Sequence, residues 1–78
     1  MNITVYSREG CPYCDKIKRV LEQRELPFTF YQLDTDFTRD EFYNEFGVGT
    51  TFPQVILDGQ KLGGCSDAVK YMTENNII

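Results

Sequence analysis

A chain of 78 residues with 41% hydrophobic and 14% aromatic side chains suits one small domain over residues 1–78, near the lower size limit for a core that folds without staples. Its net charge of −4 argues against nucleic-acid binding, and no apolar run of about 18 residues exists to cross a membrane. The opening MNITVYSREG lacks a basic start followed by an apolar stretch, so no secretory leader is expected and the cytoplasm is the expected compartment.

Ile3-Thr4-Val5-Tyr6 alternates and is rich in β formers, which predicts a first strand. Ser7 to Gly10 reads as a loop. Pro12 suits the first turn of a helix, where its missing N–H is not needed. Cys14, Ile17 and Leu21, with Val20 beside them, recur at helical spacing, while Asp15, Lys16, Arg19, Glu22 and Gln23 lie off that face. This helix should end before Leu26-Pro27, and Phe28 to Leu33 reads as a second strand. In Phe37-Thr38-Arg39-Asp40-Glu41-Phe42, Thr38 and Glu41 predict a capping box, and Phe37 and Phe42 a hydrophobic staple. Phe42 and Phe46 then face inward, and Gly47 closes the second helix. Gln54 to Leu57 is the third strand. Asp58-Gly59 signals a tight hairpin, and Gln60-Lys61-Leu62 returns as the fourth. Ser66 is expected to cap a last helix that carries Val69 and Met72 inward. The order β-α-β-α-β-β-α predicts an α/β fold. The first two strands form a right-handed parallel crossover and the hairpin adds an antiparallel pair, so a mixed four-stranded sheet carries three helices.

Charge is unevenly spread. Residues 1–24 carry five basic and three acidic groups, and residues 25–59 carry one basic and seven acidic. The end holding Gly10-Cys11-Pro12-Tyr13-Cys14-Asp15 is the least acidic, which favours an anionic small molecule there.

Three cysteines and no His fit poorly with a secreted disulfide scaffold. In a reducing compartment a C-x-x-C pair is usually catalytic or metal-binding. Zinc needs four ligands, and one C-x-x-C with a distant Cys65 does not supply them, so no metal site is expected. A two-residue loop also gains little stability from a purely structural disulfide. Cys11, just before Pro12, falls at the N-cap of the first helix. There first-turn amides and the helix dipole favour a thiolate and should pull its pKa below the free value of about 8.5. Cys14 lies one turn further, on the apolar face, where burial opposes ionisation. The two sulfurs are thereby inequivalent, Cys11 the attacker and Cys14 the resolving partner. If the pKa of Cys11 were about 5, a thiolate gain of roughly 30-fold at neutral pH would be offset by a similar fall in intrinsic nucleophilicity. Leaving-group ability is what improves, so such a site is tuned for turnover.

With Cys11-Pro12-Tyr13-Cys14, Thr50-Thr51-Phe52-Pro53 and Gly63-Gly64-Cys65-Ser66-Asp67 in this order, the chain resembles a dithiol glutaredoxin of the thioredoxin-like superfamily along its whole length. The second motif is similar to the family's T-V-P segment, whose proline follows a cis bond. The third is similar to its glutathione-binding turn. The resemblance implies a glutathione-dependent thiol–disulfide oxidoreductase with Cys11 as nucleophile, Cys14 as resolving thiol and no tightly bound cofactor. Glutathione would be the reducing co-substrate. Arg8 would stand near its glycyl carboxylate, and Tyr13 would flank the tripeptide. Thr51 and Phe52, ahead of Pro53, would offer main-chain groups to its cysteinyl part. Gly64, Cys65, Ser66 and Asp67 would hold its γ-glutamyl end. Phe52 stands where the family usually has Val and is expected to narrow the groove. Gly49 stands where many members carry a basic residue, which weakens the carboxylate grip there.

The resemblance implies a monomer whose partners are disulfide-containing or glutathionylated proteins, with ribonucleotide reductase a common family client. Two other readings compete. One is a redoxin served by thioredoxin reductase, against which the Gly63–Asp67 turn argues. The other is a [2Fe–2S] carrier using Cys11 and glutathione, which Pro12 disfavours by stiffening the loop.

Overall fold

The computed structural model describes residues 1–78. The strands are β1 (Ile3–Ser7), β2 (Thr29–Gln32), β3 (Gln54–Leu57) and β4 (Gln60–Gly63), and the helices are α1 (Pro12–Gln23), α2 (Arg39–Phe46) and α3 (Cys65–Glu74). They follow the predicted order. The sheet runs β2-β1-β3-β4, with β1 parallel to β2 and both β1–β3 and β3–β4 antiparallel. This is the expected thioredoxin-like arrangement. No helix is long and apolar enough to cross a membrane.

The alternation of β1 separates two unlike layers. Ile3 and Val5 point to one face, where they pack with Ile17 and Leu21 of α1, Val55 and Leu57 of β3, and Cys65, Ala68 and Met72 of α3. Tyr6 points to the other face and meets an aromatic layer built around α2. Its ring centroid lies 5.1 Å from Phe37 and 5.1 Å from Phe46. One layer is mainly aliphatic and sulfur-bearing, and the other is made of rings.

Helix ends follow local chemistry. The amide of Glu41 donates to Thr38 Oγ1 at 3.1 Å, and the amide of Thr38 donates to Glu41 Oε1 at 2.9 Å. This is the predicted capping box. Phe37 and Phe42 stack at 5.8 Å and complete the staple. Thr38→Ala is expected to lower stability by about 1 kcal/mol, as checked by the midpoint of urea unfolding. A midpoint equal to that of the parent would show that the box adds nothing. Helix α1 is capped at Arg24 and closed by Glu25 just beyond it, whose left-handed backbone (φ 55°) lets Leu26 N–H reach the Leu21 carbonyl at 3.0 Å and Glu25 N–H the Glu22 carbonyl at 3.0 Å. This closure satisfies two carbonyls that the helix leaves free. Asp58 (φ 49°) and Gly59 (φ 84°) both take the positive φ that the β3–β4 turn requires.

The structure departs from the sequence reading at several boundaries. Ser7 extends β1 and is fully buried, because its hydroxyl finds a partner in the Tyr31 carbonyl at 2.7 Å. β2 is shorter than expected at both ends. Leu33 makes only an isolated bridge with Phe37. The cap of α3 is Gly64, not Ser66. The Gly64 backbone is extended and makes no side-chain cap bond, and its carbonyl accepts the first helical bond from Ala68 N–H at 2.9 Å. The inward face of α3 therefore consists of Cys65, Ala68 and Met72, and Val69 is only partly buried against the core.

Candidate active site

Three segments distant in sequence meet at one end of the sheet. β1 runs toward this end and delivers the start of α1. β3, antiparallel to it, begins there, and the preceding loop brings Thr51, Phe52 and Pro53. β4 ends there and hands on to the start of α3.

Cys11 is the N-cap of α1, with an extended backbone (φ −107°, ψ 104°) and Pro12 next to it. The amide of Cys14 donates to Cys11 Sγ at 3.1 Å. An N–H aimed at the sulfur from the first turn stabilises negative charge on it. Cys11 and Cys14 are joined as a disulfide, with their Cα atoms 5.2 Å apart. Cys14 belongs to the buried face of α1 with Ile17 and Leu21. Both cysteines are buried, Cys11 at 3% and Cys14 at 1% exposed, so they differ not in burial but in place, Cys11 capping the N-terminus of α1 and Cys14 lying within its first turn on the core face. Tyr13, between them, projects into solvent and is 59% exposed.

Beside the dithiol lies a groove of about 190 Å³. Tyr13 forms one wall, Thr51, Phe52 and Pro53 form the floor, and Gly64, Cys65, Ser66 and Asp67 form the far side. Thus eight of the residues singled out for glutathione line one concavity. Arg8 does not. It is exposed, and its guanidinium donates to the Glu9 carbonyl at 3.3 Å.

The floor is main chain. The Phe52–Pro53 bond is cis, as the resemblance implies. Neither the N–H nor the C=O of Phe52 has a partner within the protein, so both are free to pair with a ligand's backbone. The Phe52 ring turns away into the aromatic layer, where it stacks on Phe42 at 4.2 Å with planes 19° apart. The expectation that this ring narrows the groove is therefore corrected: α2 takes up its bulk.

At the far side, the first-turn amides of α3 have no intrahelical acceptors and favour an anionic group. Asp67 stands in that turn. Gly63 (φ 100°) makes room for it, since a Cβ there would lie 2.9 Å from Asp67 Oδ2. Glycine at 63 serves both the backbone and the neighbouring carboxylate. Burial pushes the Cys65 thiol above its ordinary pKa, against an opposite pull from Lys16. Cys65 is buried and unpaired and stays a neutral packing group at neutral pH. No group of three or more His, Cys, Asp or Glu is arranged to hold a metal ion.

One residue of the site escaped the sequence reading. Gln54 is 9% exposed, and its Nε2 donates to the Thr51 carbonyl at 2.8 Å. The signal was present: an amide side chain opens an otherwise apolar strand directly after Pro53.

Comparison with known proteins agrees with this fold. The sequence model of the family described as Glutaredoxin matches residues 3–62. Glutaredoxin 3 of Escherichia coli strain K12 is 33% identical over 66 residues, which cover 85% of this chain and 80% of the relative. The crystal structure of glutaredoxin 1 from Francisella tularensis, complexed with cacodylate, superposes with a TM-score of 0.80 at 26% identity, covering 97% of this chain and 95% of the other. The solution structure of reduced Escherichia coli glutaredoxin has a TM-score of 0.81 at 24% identity, with both chains fully covered, and supports the fold.

Proposed function

Because the chain belongs to the glutaredoxin family and is a thiol–disulfide oxidoreductase, we propose that glutathione is its reducing co-substrate and that it reduces protein disulfides and glutathione mixed disulfides in a reducing compartment such as the cytoplasm. The observation that carries this reading is the groove. It places a free main-chain N–H and C=O at Phe52, beside the Cys11–Cys14 pair and opposite the first turn of α3.

The chemistry follows from the inequivalent sulfurs. The Cys11 thiolate attacks one sulfur of a substrate disulfide. A bond forms from Cys11 Sγ to that sulfur, and the other substrate sulfur leaves as thiolate. For a protein disulfide, Cys14 then attacks Cys11 Sγ, releases the reduced protein and closes the Cys11–Cys14 disulfide. One glutathione thiolate attacks Cys11 Sγ and expels Cys14. A second attacks the glutathione sulfur of that mixed disulfide, giving oxidised glutathione and restoring the Cys11 thiolate. In a glutathionylated substrate, Cys11 attacks the glutathione sulfur directly and only the last step is needed. A helix-stabilised thiolate at Cys11 leaves readily in that step.

Glutathione bound in the groove would lay its cysteinyl backbone along Phe52, beside Thr51 and Pro53. Its γ-glutamyl carboxylate would meet the amides of Cys65 and Ser66 after Gly64, and its ammonium the Asp67 carboxylate. Tyr13 would cover the tripeptide. Arg8, outside the groove, would act only as an exposed charge near the glycyl carboxylate, an effect that salt removes.

Asp67→Ala is expected to lower turnover of a glutathionylated peptide about tenfold, the loss of one charge-assisted hydrogen bond. The same peptide carrying a methyl disulfide should react as before. Steady-state rates on the two substrates decide it. Equal slowing on both would make Asp67 a structural residue and remove the glutathione reading's best side chain.

A further inference from the structure

We propose that Gln54 is a positioning residue for substrate recognition: its buried amide holds the Thr51–Phe52 peptide so that the Phe52 N–H faces the groove. The inference deepens the glutathione reading and rests on it.

The geometry is that of one peptide unit. The carbonyl of Thr51 and the N–H of Phe52 belong to the same bond, and only Phe52–Pro53 is cis in this chain. In a trans unit the C=O and N–H point in opposite directions. Gln54 Nε2 donates to the Thr51 carbonyl at 2.8 Å. The Gln54 side chain is nine-tenths buried, so it draws that carbonyl toward the protein. The N–H on the far side of the plane must then face outward, where Phe52 lines the groove and no protein acceptor meets it.

Nothing else in the loop can do this. Pro53 has no N–H, so Phe52 N–H is the last main-chain donor before β3. On its other side the loop is held at Thr50, whose hydroxyl donates to the Phe46 carbonyl at 2.9 Å. The Thr51–Phe52 plane lies between these two anchors, and a rotation of that plane would withdraw the donor. A donor on the carbonyl also polarises the peptide and strengthens the N–H on its other end. Gln54 thus sets both direction and donor strength without touching the substrate. Its backbone pairs with Tyr6 across β1 and β3, which roots it in the sheet.

The test uses Gln54→Leu, which cannot donate, and Gln54→Glu, which at neutral pH presents an acceptor to an acceptor. Both should raise KM for a glutathionylated peptide about tenfold, leaving kcat and the rate on the methyl-disulfide peptide near those of the parent. In the folded variants the Phe52 amide resonance should shift, since its own peptide has lost a partner. Lowering the pH until the new carboxyl is protonated should return Gln54→Glu toward the parent KM, whereas Gln54→Leu should stay impaired at every pH. A parent KM in both variants, or equal slowing on the two peptides, would overturn the role of Gln54. A parent enzyme that does not prefer the glutathionylated peptide would instead overturn the glutathione reading.

Discussion

Cys11→Ser is expected to abolish reduction of every disulfide substrate, whereas Cys14→Ser keeps turnover of glutathionylated peptides and loses only the dithiol route to protein disulfides. The reason lies in the first turn of α1. The Cys11 sulfur receives the Cys14 amide at 3.1 Å, and a serine hydroxyl there can cap the helix but is a far weaker nucleophile at neutral pH. Cys14 lies on the buried face of α1, and its sulfur is joined to that of Cys11. Losing it removes intramolecular resolution, yet an external thiol can still attack the mixed disulfide. The experiment is a pair of assays on each variant, one with a glutathionylated peptide and one with an intramolecular protein disulfide. Loss of both activities in Cys14→Ser would show the assigned roles to be wrong.

Phe42→Ala is expected to cost about 3–5 kcal/mol, a large share of the total stability of a small domain. Phe42 is 1% exposed. Its ring contacts Phe37 at 5.8 Å, Phe46 at 4.8 Å and Phe52 at 4.2 Å. Truncation would open a cavity between α2 and the sheet and unseat the staple of α2. It would also release the ring that anchors the groove floor, so affinity for glutathionylated substrate should fall even where the variant remains folded. Phe42→Leu keeps more of the volume and should lose less on both measures. Urea unfolding followed by circular dichroism reads the first effect, and KM reads the second. A loss below about 1 kcal/mol would place it among ordinary substitutions and show that the aromatic layer repacks around the gap.

Much of this architecture was legible because local signals agreed with one another. The capping box at Thr38 and Glu41, the turn at Asp58-Gly59 and the stripe Cys14, Ile17, Leu21 each name a physical partner within a few residues. Features decided by distant partners were hidden. Ser7 reads as a loop residue until the Tyr31 carbonyl is beside it. Ser66 reads as a cap because serine caps helices, yet the chain direction set by Gly63 and Gly64 starts α3 earlier. Phe52 looked like an obstruction because the sequence does not show which way its ring turns. The glutathione-site candidates other than Arg8 fell along a single groove, since three short motifs contribute all eight residues that line it. Gln54 was missed because it acts on a neighbouring peptide rather than on a ligand.

The antiparallel pairing of Ile3–Tyr6 with Gln54–Leu57 has a kinetic consequence. The thiols come from the first strand–helix unit, but apart from Tyr13 the groove is lined by residues 51–67. This long-range pairing joins them, together with the packing of α1 on α3, and closing so long a loop is an entropic barrier crossed before the contacts repay it. During refolding, chains that have formed α1 but not the β1–β3 pair would carry a reactive dithiol with no means of choosing among disulfides. Chemical reactivity would therefore return before selectivity. The interval between the two, followed by an alkylating probe and by the ratio of rates on glutathionylated and methyl-disulfide peptides, is a clock for the formation of the central sheet.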